Sequence, residues 1–280
     1  PFSTLASKCS VPVSNSLIIS SLVFICYSTN IMRLRQLVFV SKERDRLAKE
    51  ICDVFELKEA YNDPGLISFG LENVLIPLND TFFEIVMPVQ ENTTAERFLD
   101  KTGGEGGYMI IVDVENFEEE NKRVINSKIK IVWNGDRKEE DIHARTIHLH
   151  PKQVGGAILS LDKMVPEDEW LWAGTNWKEH VNKSLVDSIS GVILKSTDPD
   201  KLCSQWELAL GKKRDEDKKL NISLDQSNIS FVKDINSKED GIFAFIIKAL
   251  NPEKIIENAK SKDLLINNEI TIGGVQIILE

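Results

Sequence analysis

The sequence predicts an α+β fold in which tandem strand–helix–multistrand modules pair into a cupped, curved mixed sheet. One observation behind this fold class is that the same order of elements recurs four times along the chain. A second is that a polar residue followed by proline, a helix-start signal, stands at Asp198-Pro199 and again at Asn251-Pro252. The first strands of the four copies are expected to begin near residues 34, 108, 190 and 242.

The first copy has the pattern of a βαβββ unit. Residues 34–40 are rich in β-forming side chains, and Ser41 is positioned to cap a following helix. A turn signal at residues 62–65 separates this helix from the rest of the unit. Three further strands are expected at 66–70, 73–78 and 81–87.

The second copy follows a glycine-rich link at residues 103–107. Asn116 is a suitable cap for its helix, whose first turn is acidic, as the helix dipole favours. The third and fourth copies are predicted to be shorter. The remaining strands are expected at 129–133, 142–149 and 156–162 in the second copy, 221–224 and 228–233 in the third, and 268–272 and 274–279 in the fourth.

The bulk composition limits the classes of partner. A net charge of −10 argues against nucleic acid, which needs a surplus of Lys and Arg on one face. The four cysteines are far apart and form no CxxC pair, so the sequence requires no oxidising compartment and predicts a cytoplasmic protein.

The first 31 residues contain a short apolar run at 17–27. A membrane-spanning helix needs about 20 apolar residues, so this run predicts no transmembrane span. Residues 1–31 are expected to be a leader outside the folded protein, and a targeting segment is the alternative.

Three segments resemble the vicinal oxygen chelate superfamily, which includes glyoxalase I, extradiol dioxygenases and the fosfomycin- and bleomycin-resistance proteins. Residues 81–86 (TFFEIV) resemble the strand that carries a ligand glutamate, and residues 106–110 (GGYMI) resemble the opening of the second module. Residues 151–160 (PKQVGGAILS) resemble the turn before the last strand. More narrowly, HLHPKQVGGAILSLD with the later W-A-G-x-x-W is similar to an uncharacterised glyoxalase-like bacterial subgroup.

The resemblance covers residues 33–178, and over 184–280 it rests on element order alone. It implies paired modules of vicinal oxygen chelate type. A glyoxalase-like module pair is expected at 32–180 and a second, reduced pair at 181–280.

In metal-dependent relatives each module gives one ligand from its first strand and one from its last, and the metal polarises vicinal substrate oxygens. The resemblance places Gln36 and Glu84 at the two positions of the first module. It places Tyr108 and Ser160 at those of the second, with Asp162 on the same strand face as Ser160. Gln36 and Glu84 are therefore the expected ligands of a divalent metal (Zn, Ni, Mn or Fe), whereas a phenol and a hydroxyl are poor ligands.

Two histidines and a tryptophan complete the candidate site. His148 and His150 project from one face of a strand. The simplest hairpin register puts that face away from the cup, and a bulge at Gly155-Gly156 would reverse it. His150 is a candidate acid or base, and the candidate substrate contacts are Gln36, His148, Ser160 and Trp172.

Two functions are compatible with these residues. The first is a glyoxalase-like enzyme, a lyase, isomerase or dioxygenase, that acts on a small carbonyl or vicinal-oxygen substrate. It would use Glu84 as base or metal ligand beside Gln36, and Tyr108 or His150 as a proton donor. The second is a metal-free protein that binds or sequesters a small ligand in the same cup. Cups could form within one chain or between the chains of a homodimer.

Overall fold

The computed structural model describes residues 31–218 and 220–280, which form two seven-stranded mixed sheets. The α+β fold class and the four-module order predicted from the sequence are confirmed. The predicted leader lies outside the described residues except for Ile31. Within the described ranges, no helix has the length and apolar character needed to cross a membrane.

The first two modules build the first sheet. Its strands are β1 (Met32–Val40), β2 (Leu71–Leu78), β3 (Thr81–Pro88), β4 (Gly106–Val114), β5 (Ile131–Glu139), β6 (Ile142–Leu149) and β7 (Ile158–Val165). They lie in the order β2-β3-β1-β4-β7-β6-β5. The first strands of the two modules, β1 and β4, pair antiparallel at the centre, and each runs parallel to the last strand of its own module.

The second sheet repeats this plan, and all of its strands except the two first strands are shorter than their counterparts. Its strands are β8 (Val186–Ser196), β9 (Asn221–Leu224), β10 (Ser227–Lys233), β11 (Gly241–Ala249), β12 (Leu265–Ile266), β13 (Glu269–Ile272) and β14 (Val275–Leu279). Again the two first strands, β8 and β11, pair antiparallel, with β10 and β14 parallel to them. The division of the chain into units 32–180 and 181–280 stays a prediction.

Helices connect the strands of both sheets. They are α1 (Arg44–Phe55), α2 (Thr94–Thr102), α3 (Phe117–Asn126), the single turn α4 (Pro151–Val154), α5 (Pro199–Leu210) and α6 (Pro252–Ser261). The predicted caps of α3, α5 and α6 are confirmed, because Asn116, Asp198 and Asn251 each accept a hydrogen bond from a backbone N–H of the first turn.

Two local predictions in the first module were wrong. Residues 66–70 are not a strand: Pro64–Phe69 forms a 3₁₀ helix, because Asp63 caps its start and Gly70, with φ at 70°, ends it. Ser41 does not cap α1, whose N-cap is Glu43; instead the Ser41 hydroxyl accepts a hydrogen bond from the Glu43 backbone N–H at 3.0 Å. The first module is therefore βαββ, and the helix α2 and the short strand β12 were not predicted.

The two sheets pack against each other through their helix-bearing faces. One continuous apolar cluster contains residues from both sheets and from α1, α5 and α6. At its centre the Phe39 and Phe245 rings meet edge to face, 4.9 Å apart. Gly107 of β4 lies so close to β11 that a Cβ there would stand 2.7 Å from the Cβ of Ile242. The contact therefore requires a residue without a side chain at position 107.

We predict that Gly107→Ala destabilises the protein by about 1–3 kcal/mol, because the added methyl overpacks the contact between the sheets. Chemical denaturation measures the change. The matched control is Gly106→Ala, whose Cβ would find its nearest neighbour, on Phe98, at 3.8 Å. Equal stability of the two variants would contradict the packing described here.

Candidate functional site

Gln36 and Glu84 meet in the concave face of the first sheet, which we call the cup. The register of β1 against β3 puts both side chains on this face. The Gln36 amide donates to Glu84 Oε2 at 2.7 Å, and the Asn73 amide donates to Glu84 Oε1 at 2.6 Å. The structure thus brings together the two metal ligands that the sequence predicts, and they form a hydrogen bond with each other.

Both amides are held in one orientation by donors on their carbonyl oxygens. The indole N–H of Trp170 donates to Gln36 Oε1 at 2.6 Å, and the backbone N–H of Asp63 donates to Asn73 Oδ1 at 2.8 Å. Rotating either amide would therefore leave a buried N–H facing another N–H. Gln36 and Asn73 are thereby oriented as donors, and each oxygen of Glu84 accepts from one of them.

A second buried carboxylate, Asp162, lies on the other half of the cup. Its Oδ1 accepts from the Thr146 hydroxyl at 2.7 Å and from the Ser160 hydroxyl. Its Oδ2 accepts from the indole N–H of Trp172 at 2.6 Å. Ser160 is also bonded to Thr146 at 2.9 Å, so the predicted ligand position carries a hydroxyl that is already engaged.

Burial raises the pKa of both carboxyl groups. The pKa of Glu84 rises to about 7, because burial opposes the charged form more strongly than the two amide donors favour it. The pKa of Asp162 also rises to about 7, again through burial and against three hydrogen bonds. Each group stands near the threshold of ionisation at neutral pH.

The protein's own chain fills the cup. Residues 170–180, which we call the plug, contain two single 3₁₀ turns, Leu171–Ala173 and Trp177–His180. The Trp170 side chain is 0% exposed and stacks on Phe82 with ring centroids 5.8 Å apart. Trp177 contacts the same ring edge to face at 4.9 Å. Through Trp170 and Trp172 the plug also donates to the polar groups of both modules.

The strand register shows which residues are equivalent in the two modules. Gln36 lies opposite Ile111, and Met109 lies opposite Val38, so the two-fold of the β1–β4 pair relates Gln36 to Met109. The last strands obey the same relation. Glu84 pairs with Val38, and Ser160 pairs with Ile111, so Glu84 is related to Ser160.

This register corrects the placement of Tyr108. The first-strand position of the second module belongs to Met109, because an irregularity in the pairing after Val38 shifts the strand by one residue. Tyr108 packs against the ring of Phe98 instead, 5.2 Å away, and burial raises its pKa to about 12. Its catalytic role stays a prediction.

The second sheet has no metal ligand at the equivalent positions. The pairing of β8 with β11 relates Gly191 to Ala244 at the first-strand positions. The last-strand positions hold Ser230 and Ile278. The second module pair therefore repeats the architecture of the cup without its carboxylates.

His148 faces the cup and His150 does not project from a strand. The expected register was wrong, because the turn of α4 takes up residues 151–154 and leaves His148 opposite Ser160. The His148 ring lies against that of Trp133, with centroids 4.6 Å apart and ring planes tilted by 51°. Burial lowers the pKa of His148 to about 4. His150 caps α4, where its Nδ1 accepts from the Lys152 backbone N–H at 3.2 Å. Their predicted roles in substrate binding and proton transfer stay predictions.

The donor set does not fit a divalent metal. Of the four related positions, two carry Met109 and Ser160, which are poor ligands for the hard or borderline ions expected here. At the other two, the Gln36 oxygen accepts from Trp170 and the Glu84 oxygens accept from amides. Within the described part of the chain, no group of three or more His, Cys, Asp or Glu side chains is arranged to hold a metal ion.

A cleft opens at one end of the cup, where β1 begins and β4 and β7 end. We call it the mouth cleft; its volume is about 660 Å³. The turn between β9 and β10 closes one side, where the Met32 N–H donates to Asp225 and the Asp225 N–H donates to the Met32 carbonyl, both at 2.7 Å. The lining residues that matter below are Arg33, Arg35, Asp80, Asp113, Glu115 and Lys163.

The topology decides the fold family. Four strand–helix–strand modules pair through antiparallel first strands, and each first strand is parallel to the last strand of its module. The fold is of vicinal oxygen chelate type.

Comparison with known proteins agrees at the level of fold. No family model and no curated protein matches the chain. A crystal structure of a hypothetical protein from Staphylococcus aureus aligns with a TM-score of 0.63 and 14% identity, over 89% of this chain and 99% of that one. This likeness shows that the two chains share one fold over nearly their whole lengths, with both module pairs included.

Two methylmalonyl-CoA epimerases align over about half of the chain. The Mycobacterium tuberculosis enzyme has a TM-score of 0.41 and 19% identity, over 46% of this chain and 86% of the epimerase. A variant of the Streptomyces coelicolor enzyme in complex with 2-nitronate-propionyl-CoA has a TM-score of 0.42 and 15% identity, over 48% and 97% of the two chains. Similarity at this level assigns no activity to this chain.

Three residues of the site, Asn73, Asp63 and Arg35, were not identified in the sequence as site residues. Asn73 and Asp63 hold Glu84 from a neighbouring strand and turn, and Trp170 holds Gln36 from the plug. Arg35 follows a buried leucine in β1 and is itself 1% exposed. Only Arg35 gave a signal in the sequence, because a charged residue within an apolar strand can indicate a buried cation.

We predict that stability falls as the pH rises from about 4 to about 7, because Glu84 and Asp162 together outweigh His148, whose lowered pKa acts in the opposite direction. With a raised pKa, the folded protein keeps protons on Glu84 and Asp162 that the unfolded chain has lost, so folding is favoured below this window. Asp162→Asn keeps every hydrogen bond if the Ser160 and Thr146 hydroxyls turn to accept. It should weaken the pH dependence by on the order of 3 kcal/mol.

Thermal unfolding of the wild type and Asp162→Asn across this pH range measures the effect. The control is Asp141→Asn, because Asp141 is exposed in the turn before β6 and should leave the pH profile unchanged. If the melting temperature of the wild type rises from pH 4 to 7, the two carboxyl groups are ionised in the folded protein at little cost in free energy.

Proposed function

We propose that this protein binds a small molecule in the mouth cleft without the help of a metal ion. The observation that carries the proposal is the replacement of half of the metal positions by Met109 and Ser160, together with the mutual hydrogen bond of Gln36 and Glu84. In this proposal the polar groups of the cup hold the plug in place. The plug then forms the inner wall of the cleft.

The mouth cleft has the properties of a ligand site. Small-molecule sites range from about 300 to about 1,000 Å³, and the cleft volume of about 660 Å³ lies within this range. Its lining combines an aromatic ring, Trp177, with charged side chains of both signs. Most of the lining residues are polar or charged, which suits a polar ligand better than an apolar one.

The glyoxalase-like enzyme is the second candidate, and the raised pKa values of Glu84 and Asp162 favour it. Two carboxyl groups with pKa near 7 could exchange protons with a carbonyl substrate at neutral pH. A substrate would first have to displace Trp170, which covers Gln36. The binding function requires no such displacement, and we therefore prefer it.

We place the protein in the cytoplasm as part of this proposal. Cys52 and Cys203 are free thiols in helices α1 and α5, and burial raises the pKa of each, to about 12 and about 11. Thiols kept in this form suit a reducing compartment. A homodimer is compatible with the proposal, which depends on one chain only.

A metal-loading experiment tests the metal-free part. The purified protein is exposed in turn to zinc, nickel, manganese and iron, desalted, and analysed for metal content. We expect no stoichiometric metal, in the wild type or in Glu84→Gln. Stoichiometric metal that is lost in Glu84→Gln would contradict the proposal and support the enzyme.

A fragment screen tests the binding part. We expect ligand-observed NMR to find small fragments whose binding is abolished by Glu115→Trp, because Glu115 is exposed at the cleft and a larger ring there would fill it. Lys122→Trp, on the exposed side of α3, is the control and should bind the same fragments. Binding that survives Glu115→Trp would place the ligand elsewhere.

A further inference from the structure

The guanidinium group of Arg35 is buried without a hydrogen bond. The side chain is 1% exposed, and its Nε, Nη1 and Nη2 atoms all lack a hydrogen-bond partner among the described residues. A guanidinium carries five N–H donors, and a buried charged donor without an acceptor is costly. The fold therefore maintains an unsatisfied cation at the floor of the mouth cleft.

The strand itself presents this side chain to the cup. Leu34 pairs with Val112 and Gln36 pairs with Ile111, so Arg35 is the extra residue of a β-bulge. Bulges change the direction of one side chain and are common beside binding sites. Without the bulge, Arg35 would alternate to the opposite face, which the apolar cluster between the sheets occupies.

The neighbouring carboxylates are engaged with Arg33. Arg33 bonds to Asp80 at 2.8 Å and to Asp113 at 2.9 Å. The same two carboxylates lie 3.6 Å and 3.9 Å from Arg35 Nη1, which is too far for a hydrogen bond. They attract the Arg35 charge and leave its donors free.

Two aromatic rings fix the position of the guanidinium. It lies 5.1 Å from the centroid of Trp170 and 5.7 Å from that of Phe82. The ring faces stabilise a cation but accept no strong hydrogen bond from it. Arg35 is thus pre-organised, with a fixed place, a full charge and unused donors.

Resting on the binding function proposed above, we propose that Arg35 binds the anionic group, a carboxylate or a phosphate, of the molecule in the mouth cleft. Both anions accept paired N–H donors from one guanidinium. The lining carries six acidic side chains against four basic ones, and this acidic excess disfavours a ligand with several anionic groups. The acidic residues are Asp80, Asp113, Glu115, Glu167, Asp168 and Asp225, and the basic ones are Arg33, Arg35, Lys163 and Lys178.

The test compares benzoate, inorganic phosphate and the neutral isostere benzamide, each at millimolar concentration. Ligand-observed NMR and tryptophan fluorescence, with Trp170 beside Arg35, report binding to the full chain. We expect benzoate, phosphate or both to bind more tightly than benzamide. The compound that binds identifies the anionic group as a carboxylate or a phosphate. Arg35→Met should weaken that binding roughly tenfold to a hundredfold, the loss of a charge-assisted hydrogen-bonded pair.

Stability separates a binding role from a structural one. If Arg35 serves a ligand, Arg35→Met without ligand should keep or raise the melting temperature, since an unsatisfied buried charge is removed. Arg33→Met is the matched control and should lower it, because Arg33 holds Asp80 and Asp113. A large fall in the melting temperature of Arg35→Met, with anion binding unchanged, overturns the inference. If Arg35→Met does not fold, the same measurements are made on Arg35→Lys.

The outcomes distinguish this inference from the function on which it rests. If benzamide binds as tightly as benzoate, and Glu115→Trp abolishes both, the cleft binds ligands but Arg35 does not select anions. If neither anion binds at millimolar concentration, the inference fails, while the fragment screen still decides whether the cleft binds neutral molecules.

Discussion

A carboxylate buried in the first sheet has to find its hydrogen-bond donors inside the protein, and most of the cup follows from this constraint. Glu84 receives them from Gln36 and Asn73, and each amide in turn needs a donor on its own oxygen. The backbone of the loop before β2 supplies one and Trp170 supplies the other. The constraint thus extends from one side chain to the plug, which closes the cup and leaves the mouth cleft as the accessible volume.

The central β1–β4 pair determines where chemistry can occur. Its two-fold relation places equivalent positions of the two modules at the same depth, an arrangement suited to sharing one ion between modules. At the last-strand positions only the first module keeps a carboxylate, Glu84, and in the second module Asp162 lies two residues beyond Ser160 in β7. Asymmetric side chains on a symmetric backbone are consistent with a cup that has come to bind its own tryptophans.

The sequence predicted the module order and the caps of α3, α5 and α6, because those signals are local. The resemblance placed Gln36 and Glu84 in one site, and the register of β1 against β3 puts both side chains on one face. The errors arose where one residue of register mattered: the irregularity beside Met109, and the turn of α4 that brought His148 round to the cup. The plug has no periodicity to identify, since its 3₁₀ turns are too short to show a pattern.

The reciprocal bonds between Met32 and Asp225 join the first strand of one sheet to a turn of the other at the rim of the cleft. A molecule held there would touch both module pairs at once. By mass action it would favour the docked arrangement of the two sheets over any arrangement in which they separate. The second module pair, which has no carboxylates at the related positions, would then contribute to binding as one wall of the cleft. Ligand binding would be linked thermodynamically to the packing of the two sheets against each other.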